Sequence, residues 1–188
     1  MAKNSSEKLG VPLIYEEISR LVVEQNRSRT NRCVFSELTK ALSQSEREKL
    51  LEEIYDPYHQ KVIAAIETVL KSKRNVIHIS FHSFTQVLDG EVRNADVGLL
   101  YDPSRQGEKR FCDNLTKYLS ERSKLKIRRN YPYRGTSDGF TTVLRRLYGA
   151  GIYCGIEIEI NQKHFFSQSD KWSFLQKELP VAIAKCIS

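Results

Sequence analysis

Strand-forming and helix-forming segments alternate along most of this chain, and that alternation restricts the fold more than any other feature. Residues 75–81, 97–101, 125–128 and 152–160 are rich in β-branched and apolar side chains. Such runs form strands. Residues 105–122 and 138–148 separate them and place apolar side chains at helical spacing, and a similar stripe over 56–73 precedes the first strand. Strands divided by helices need crossover connections. The pattern therefore predicts an α/β class: one domain over residues 1–188, a mainly parallel or mixed sheet, and helices on both faces.

The remaining segments are assigned from local chemistry. Residues 4–9 read as the tail of a helix stopped by Gly10. Residues 11–15 and 18–23 carry the side chains of strands. Ser45-Glu46-Arg47-Glu48 has the form of a capping box, in which hydroxyl and carboxylate each satisfy a backbone N–H at a helix start. Pro57 suits a first helical position. Ser169-Asp170 should cap a last helix that Pro180 kinks or divides.

Composition excludes several classes. No window has the length and apolarity of a membrane span, and no apolar stretch follows Met1 as in a secretory leader, so a cytoplasmic protein is expected. Cys33, Cys112, Cys154 and Cys186 form no Cys-x-x-Cys pair, which argues against a thiolate zinc knuckle and a disulfide framework. The net charge is +7. No aromatic residues interleave the basic clusters, so the charge predicts a solvated surface or attraction of an anionic small molecule rather than nucleic acid.

Ligands of open α/β sheets bind beyond the carboxyl ends of strands. Three such places carry reactive side chains. Asn26-Arg27 offers a neutral donor and a planar fork that fits a carboxylate, or forms an ordinary polar loop. His78, Ser80 and His82 share one strand face; His78 and His82 stand roughly 13 Å apart and cannot bind one metal ion. His78 reads as a hydrogen-bonded core residue and His82 as a ligand or base. Glu157 and Glu159 share a face about 6.6 Å apart in an Ile-rich strand. They are either a site for general-base chemistry or the wet face of an edge strand. Residues 89–96 and 129–139 are dense polar loops between these ends.

The stretches Ser19-Arg20-Leu21-Val22-Val23-Glu24-Gln25-Asn26-Arg27-Ser28, His82-Ser83-Phe84-Thr85, Gly98-Leu99-Leu100-Tyr101-Asp102 and Asn130-Tyr131-Pro132-Tyr133-Arg134-Gly135 resemble, in order and spacing, the N-formylglutamate amidohydrolase family. Its fold is related to the zinc carboxypeptidases, of the phosphorylase/hydrolase-like type. The resemblance implies a metal-dependent hydrolase that cleaves the formyl amide of an N-acyl acidic amino acid such as N-formylglutamate. It implies zinc with His82 as a ligand, Glu159 (or Glu157) as the catalytic base, and Asn26 and Arg27 as holders of the substrate carboxylate. Arg93 and Tyr133, with Asp138, would line the pocket. The implied partner is a small anionic N-acyl amino acid, with no nucleic acid and no membrane.

The chain also departs from the family. Members begin with a segment that brings a His and a Glu to the metal, and nothing before Gly10 contains a His. Glu24 and Gln25 stand where members have an Asp and an apolar residue. The domain is thus expected to be N-terminally incomplete, with an incomplete zinc site, weakened activity and a sheet edge that self-association could cover. The other reading is a non-catalytic remnant that binds an acidic small molecule or a protein partner.

Overall fold

The computed structural model describes residues 1–187. In chain order it contains α1 (Ala2–Leu9), α2 (Gln44–Leu50), α3 (Asp56–Leu70), β1 (Val76–Phe84), the two-residue strands β2 (Val87–Leu88) and β3 (Glu91–Val92), and β4 (Val97–Leu100). These are followed by α4 (Gln106–Arg122), β5 (Ile127–Arg129), α5 (Phe140–Leu147), β6 (Tyr153–Asn161), α6 (Lys163–Phe166) and α7 (Asp170–Ile187).

The main sheet has the order β1-β6-β4-β5. β1 runs parallel to β6 and β4 parallel to β5, while β6 and β4 are antiparallel, so the sheet is mixed. β6 is interior, and its residues alternate between two buried layers. Ile156, Ile158 and Ile160 pack with Leu115, Leu119, Leu175 and Leu179 of α4 and α7. On the opposite face, Tyr153 packs with Val62, Ile66, Phe140 and Leu144 of α3 and α5. Helices therefore cover both faces, as the strand–helix alternation requires. No described helix is long and apolar enough to cross a membrane.

Several local expectations are corrected. Residues 11–15 and 18–23 form no strand: a strand exists only with a partner, and here the backbone closes on itself, Val11 N–H donating to Ser6 and Val22 N–H to Ser19. Val23 alone in that stretch is fully buried. The capping box sits at Ser43 and Glu46, whose side chains exchange hydrogen bonds with each other's backbone; both Ser-x-x-Glu readings are present in the sequence, and hydrogen-bond geometry selects the earlier. A π turn over Leu51–Tyr55 joins α2 directly to α3. Helix α7 continues through Pro180 instead of dividing there. The loop at 89–96 contains a hairpin: Asp89 and Gly90 both take positive φ, 51° and 80°, between β2 and β3, as a two-residue Asp-Gly turn demands.

The wet-edge reading of Glu157 and Glu159 is also overturned. Their strand has neighbours on both sides, and the two residues are only 6% and 5% exposed.

Candidate active site

Strand register builds the site. His82 of β1 is the Cα partner of Glu159 of β6, and Ser80 is the partner of Glu157. All four side chains point to the face covered by α3 and α5. On the other side of β6, Gly98 of β4 stands opposite Glu159. A Cβ at Gly98 would collide with the Tyr131 carbonyl and press on Glu159 Cβ. Glycine is thus required where the Tyr131 loop crosses the strand beside the carboxylate.

The other three histidines are committed elsewhere. His59 is stacked between Tyr55 and Phe140, with ring centroids 3.9 and 3.6 Å away, and its Nε2 meets the Gln25 carbonyl at 2.9 Å. His78 Nδ1 is 2.7 Å from the Tyr153 hydroxyl, and burial pushes the ring down to about 4. His164 Nε2 is 2.8 Å from Asp96 Oδ1.

His82 remains, and polar groups converge on it. Its Nε2 lies 2.8 Å from Ser80 Oγ, 3.5 Å from Asn26 Nδ2 and 3.8 Å from Glu157 Oε2. Burial lowers its pKa more than the nearby Glu157 raises it. At neutral pH the ring is uncharged, so the approach to Glu157 is a polar contact and not an ion pair.

The two carboxyl groups differ sharply. Glu157 is hydrogen-bonded through both oxygens: Thr141 donates to Oε1 at 2.5 Å and Asn26 Nδ2 to Oε2 at 3.1 Å. Asn26 in turn accepts from Phe140 N–H at 2.9 Å, the first residue of α5. Glu159 Oε2 is buried with no hydrogen-bond partner. Burial, then repulsion from Glu157, push the Glu159 carboxyl up to about 7, against the opposing pull of Arg20 and Arg93. A carboxyl group near neutrality can exchange a proton at physiological pH.

Arg27 Nη1 donates to the Asp138 carbonyl at 2.5 Å. Asp138 holds that loop together by accepting from Ser28 N–H at 3.0 Å and Asn31 Nδ2 at 2.7 Å. Arg93 Nη1 donates to the Tyr133 hydroxyl at 3.0 Å, with the guanidinium 5.1 Å from the ring centroid. The sequence carries no signal for Thr141 and assigns no role to Ser80, which shares the strand face of His82, or to Arg20. Nothing in the sequence marks Thr141, because its role exists only once α5 is laid against β6. Arg20 lies within a quoted motif; it pairs with Glu24, whose Oε1 accepts from Asn26 N–H at 3.0 Å.

A catalytic zinc ion takes three protein ligands and leaves one position open. His82 Nε2 and Glu157 Oε2 come nearest to that requirement. Among the described residues, however, no group of three or more His, Cys, Asp or Glu is arranged to hold a metal. The donor set of residues 1–187 does not fit zinc.

No match to the chain is found among curated proteins. Solved structures share its architecture. The crystal structure of a gene product from Agrobacterium tumefaciens superposes with TM-score 0.78 at 26% identity, covering 100% of this chain and 76% of that one. The crystal structure of N-formylglutamate amidohydrolase from Ralstonia eutropha superposes with TM-score 0.59 at 19% identity, covering 76% of this chain and 55% of that one; at that identity the likeness is one of fold. The N-formylglutamate amidohydrolase family model matches residues 2–166, which include both glutamates of β6, His82 and the Asn26-Arg27 loop. By that match the chain belongs to the N-formylglutamate amidohydrolase family.

Proposed function

We propose that the cleft beside Glu159 and His82 hydrolyses the acyl amide of an N-acyl acidic amino acid such as N-formylglutamate. The single observation that carries this reading is the free, buried Oε2 of Glu159 on a carboxyl held near 7. Glu157 is the weaker candidate for the base, since its oxygens already accept from Thr141 and Asn26.

In this reading Glu159 removes a proton from water as its oxygen attacks the acyl carbon. The same carboxyl then delivers that proton to the amide nitrogen as the C–N bond breaks. One water is consumed, and formate and the free amino acid leave. Arg93 with Tyr133 lines the substrate side, and Arg27 with Asn26 steers the substrate carboxylates from the loop that Asp138 braces. The neutral His82 ring serves as a hydrogen-bonding wall to the reacting acyl group. Zinc would supply Lewis-acid polarisation in a complete site, but the donor set of the described residues falls short of one. The net charge of +7 favours an anionic substrate.

A second reading rests on that same shortfall: the cleft binds the acidic acyl amino acid without turning it over. One experiment separates the two. Formate release from N-formylglutamate is measured beside calorimetric binding, for the native chain and for Glu159→Gln. Release that disappears in the variant while binding persists supports hydrolysis. Binding without release at any pH from 6 to 9 supports the second reading. Absence of both overturns the proposal.

A further inference from the structure

A second line of reactive side chains stands where α6 turns into α7, beside the start of β4. Ser169 N–H donates to the His164 carbonyl at 3.2 Å, so the turn brings Ser169 back against α6. Ser169 Oγ then lies 3.1 Å from His164 Nδ1, and His164 Nε2 lies 2.8 Å from Asp96 Oδ1. Serine, histidine and aspartate form one continuous run of hydrogen bonds. None of the three takes part in the amide hydrolysis proposed above.

The protons along this run follow from its partners. Asp96 accepts from Lys126 N–H at 2.8 Å and from the ammonium groups of Lys163 at 3.0 Å and Lys171 at 2.6 Å, which keep its carboxyl ionised. An ionised carboxylate can only accept, so His164 Nε2 carries the proton of that bond. Burial lowers the pKa of His164 more than Asp96 raises it, so the ring holds one proton at neutral pH. Nδ1 is therefore bare and accepts from the Ser169 hydroxyl. Trp172 N–H also donates to Ser169 Oγ, at 3.3 Å, as at any capped helix start. That cap occupies a lone pair of the oxygen and leaves its proton directed at His164. A helix cap needs no histidine. A nucleophile needs a base within hydrogen-bond reach and a third group to orient the base.

The surroundings suit the same chemistry. Asp96 and His164 are buried, 1% and 4% exposed, while Ser169 is half-buried. His164 and Ser169 border an open depression of about 940 Å³, whose wall includes the exposed Phe166 ring. The acid is innermost, the base lies between, and the hydroxyl stands at the wall. The N–H groups of Asp170 and Lys171 open the 18-residue α7 directly after Ser169, and no described residue accepts from them. Free N–H groups following a nucleophile can take the negative charge of a tetrahedral intermediate.

We infer that Ser169, His164 and Asp96 form a second hydrolytic site, which cleaves small carboxylic esters in this depression. Ser169 Oγ attacks the ester carbonyl carbon as its proton passes to His164 Nδ1, while Asp96 holds the ring and balances its charge. The C–O bond then breaks, and the alcohol leaves with that proton. Water next attacks the acyl-Ser169 ester, giving a proton to His164, which returns it to Ser169 Oγ as the acid departs. One water is consumed, and one acid and one alcohol are released.

The test is labelling of the full chain with diisopropyl fluorophosphate at pH 7.5, located by peptide mass spectrometry, beside 4-nitrophenol release from 4-nitrophenyl acetate. The native protein should be phosphorylated on Ser169 and should release 4-nitrophenol faster than buffer. Ser169→Asn retains a capping side chain and should lose both. His164→Gln should slow both roughly 100-fold. Ser167→Ala should behave as the native protein does. The native protein's own labelling decides the matter even if a variant fails to fold. Four results would overturn the inference: no label on Ser169 at millimolar reagent; phosphoryl or acetyl groups on Lys163 or Lys171 in place of Ser169; ester cleavage no faster than in buffer, or unchanged in Ser169→Asn; or Ser169 labelled in folded His164→Gln as fast as in the native protein.

Discussion

Glu157 Oε2 and His82 Nε2 lie 3.8 Å apart across adjacent parallel strands. The approach is close because β1 and β6 are in register with Ser80 facing Glu157 and His82 facing Glu159. Asn26 joins both groups through one amide nitrogen, 3.1 Å from Glu157 and 3.5 Å from His82. A loop, an edge strand and an interior strand thus share one polar cluster, and that cluster leaves Glu159 as the carboxyl without a partner.

Glu159→Gln should make the protein more stable in alkali. The carboxyl rises from an ordinary 4.5 to about 7 on folding, so the folded state binds its proton more tightly than the unfolded state does. Its destabilising effect is absent below 4.5, grows between 4.5 and 7, and is complete above 7. Urea unfolding at pH 8 should show the variant about 3 kcal/mol more stable, with little difference at pH 4. Equal stabilities at pH 8 would mean that Glu159 is not held near neutrality.

Zinc should bind weakly. Three-ligand sites need a donor that residues 1–187 do not bring to His82 and Glu157. Calorimetry at pH 7.5 should give a dissociation constant weaker than about 1 µM, and His82→Ala should remove what binding there is. Stoichiometric nanomolar binding would contradict this donor count.

Arg145→Leu should be among the most damaging single changes. Its guanidinium is 2.9 Å from Glu108 Oε1, with the two side chains 5% and 1% exposed. It also donates to the carbonyls of Gly135 at 2.5 Å and Gly155 at 2.7 Å, tying the 129–139 loop to β6. Removing the arginine leaves the buried Glu108 carboxylate without a counter-charge, held only by the N–H groups of Asp102 and Gly155, which costs about 3–5 kcal/mol. A loss under 1 kcal/mol in urea unfolding would show that water replaces the arginine.

Asp96→Asn should destabilise the protein at pH 7 and progressively less in acid. Burial alone would raise the Asp96 carboxyl, but bonds from Lys126 N–H, Lys171, Lys163 and His164 outweigh it and hold the group well below the usual carboxylate range. A depressed pKa adds stability that is complete above the unfolded value of 3.8 and disappears as pH falls through the folded one. Thermal unfolding from pH 7 down to pH 2 should show the native and variant melting temperatures converging in acid. A constant gap would assign the effect to lost hydrogen-bond geometry instead of charge.

Helix and strand identity was legible wherever a segment buries a periodic face. The stripe over 56–73 appears as α3 (Asp56–Leu70), and the run over 152–160 as β6 (Tyr153–Asn161). It was not legible where apolar residues lack a periodic partner surface. Residues 18–23 have the composition of a strand, yet Ile18 and Leu21 are exposed and only Val23 is fully buried. Composition specifies a preference for extended backbone, while pairing depends on whether another strand is within reach.

What the residues alone determined was the kind of chemistry and the layered plan: two glutamates on one strand face, one histidine at a strand end, and alternating strands and helices. Those follow from periodicity, which is local. Tertiary structure alone decided which carboxyl is hydrogen-bonded and which has a buried oxygen free. Thr141 and Asn26 reach Glu157 only because α5 and the Asn26 loop dock on β6. Docking also removes water from Glu159, and desolvation, unlike periodicity, is a property of the whole packed molecule.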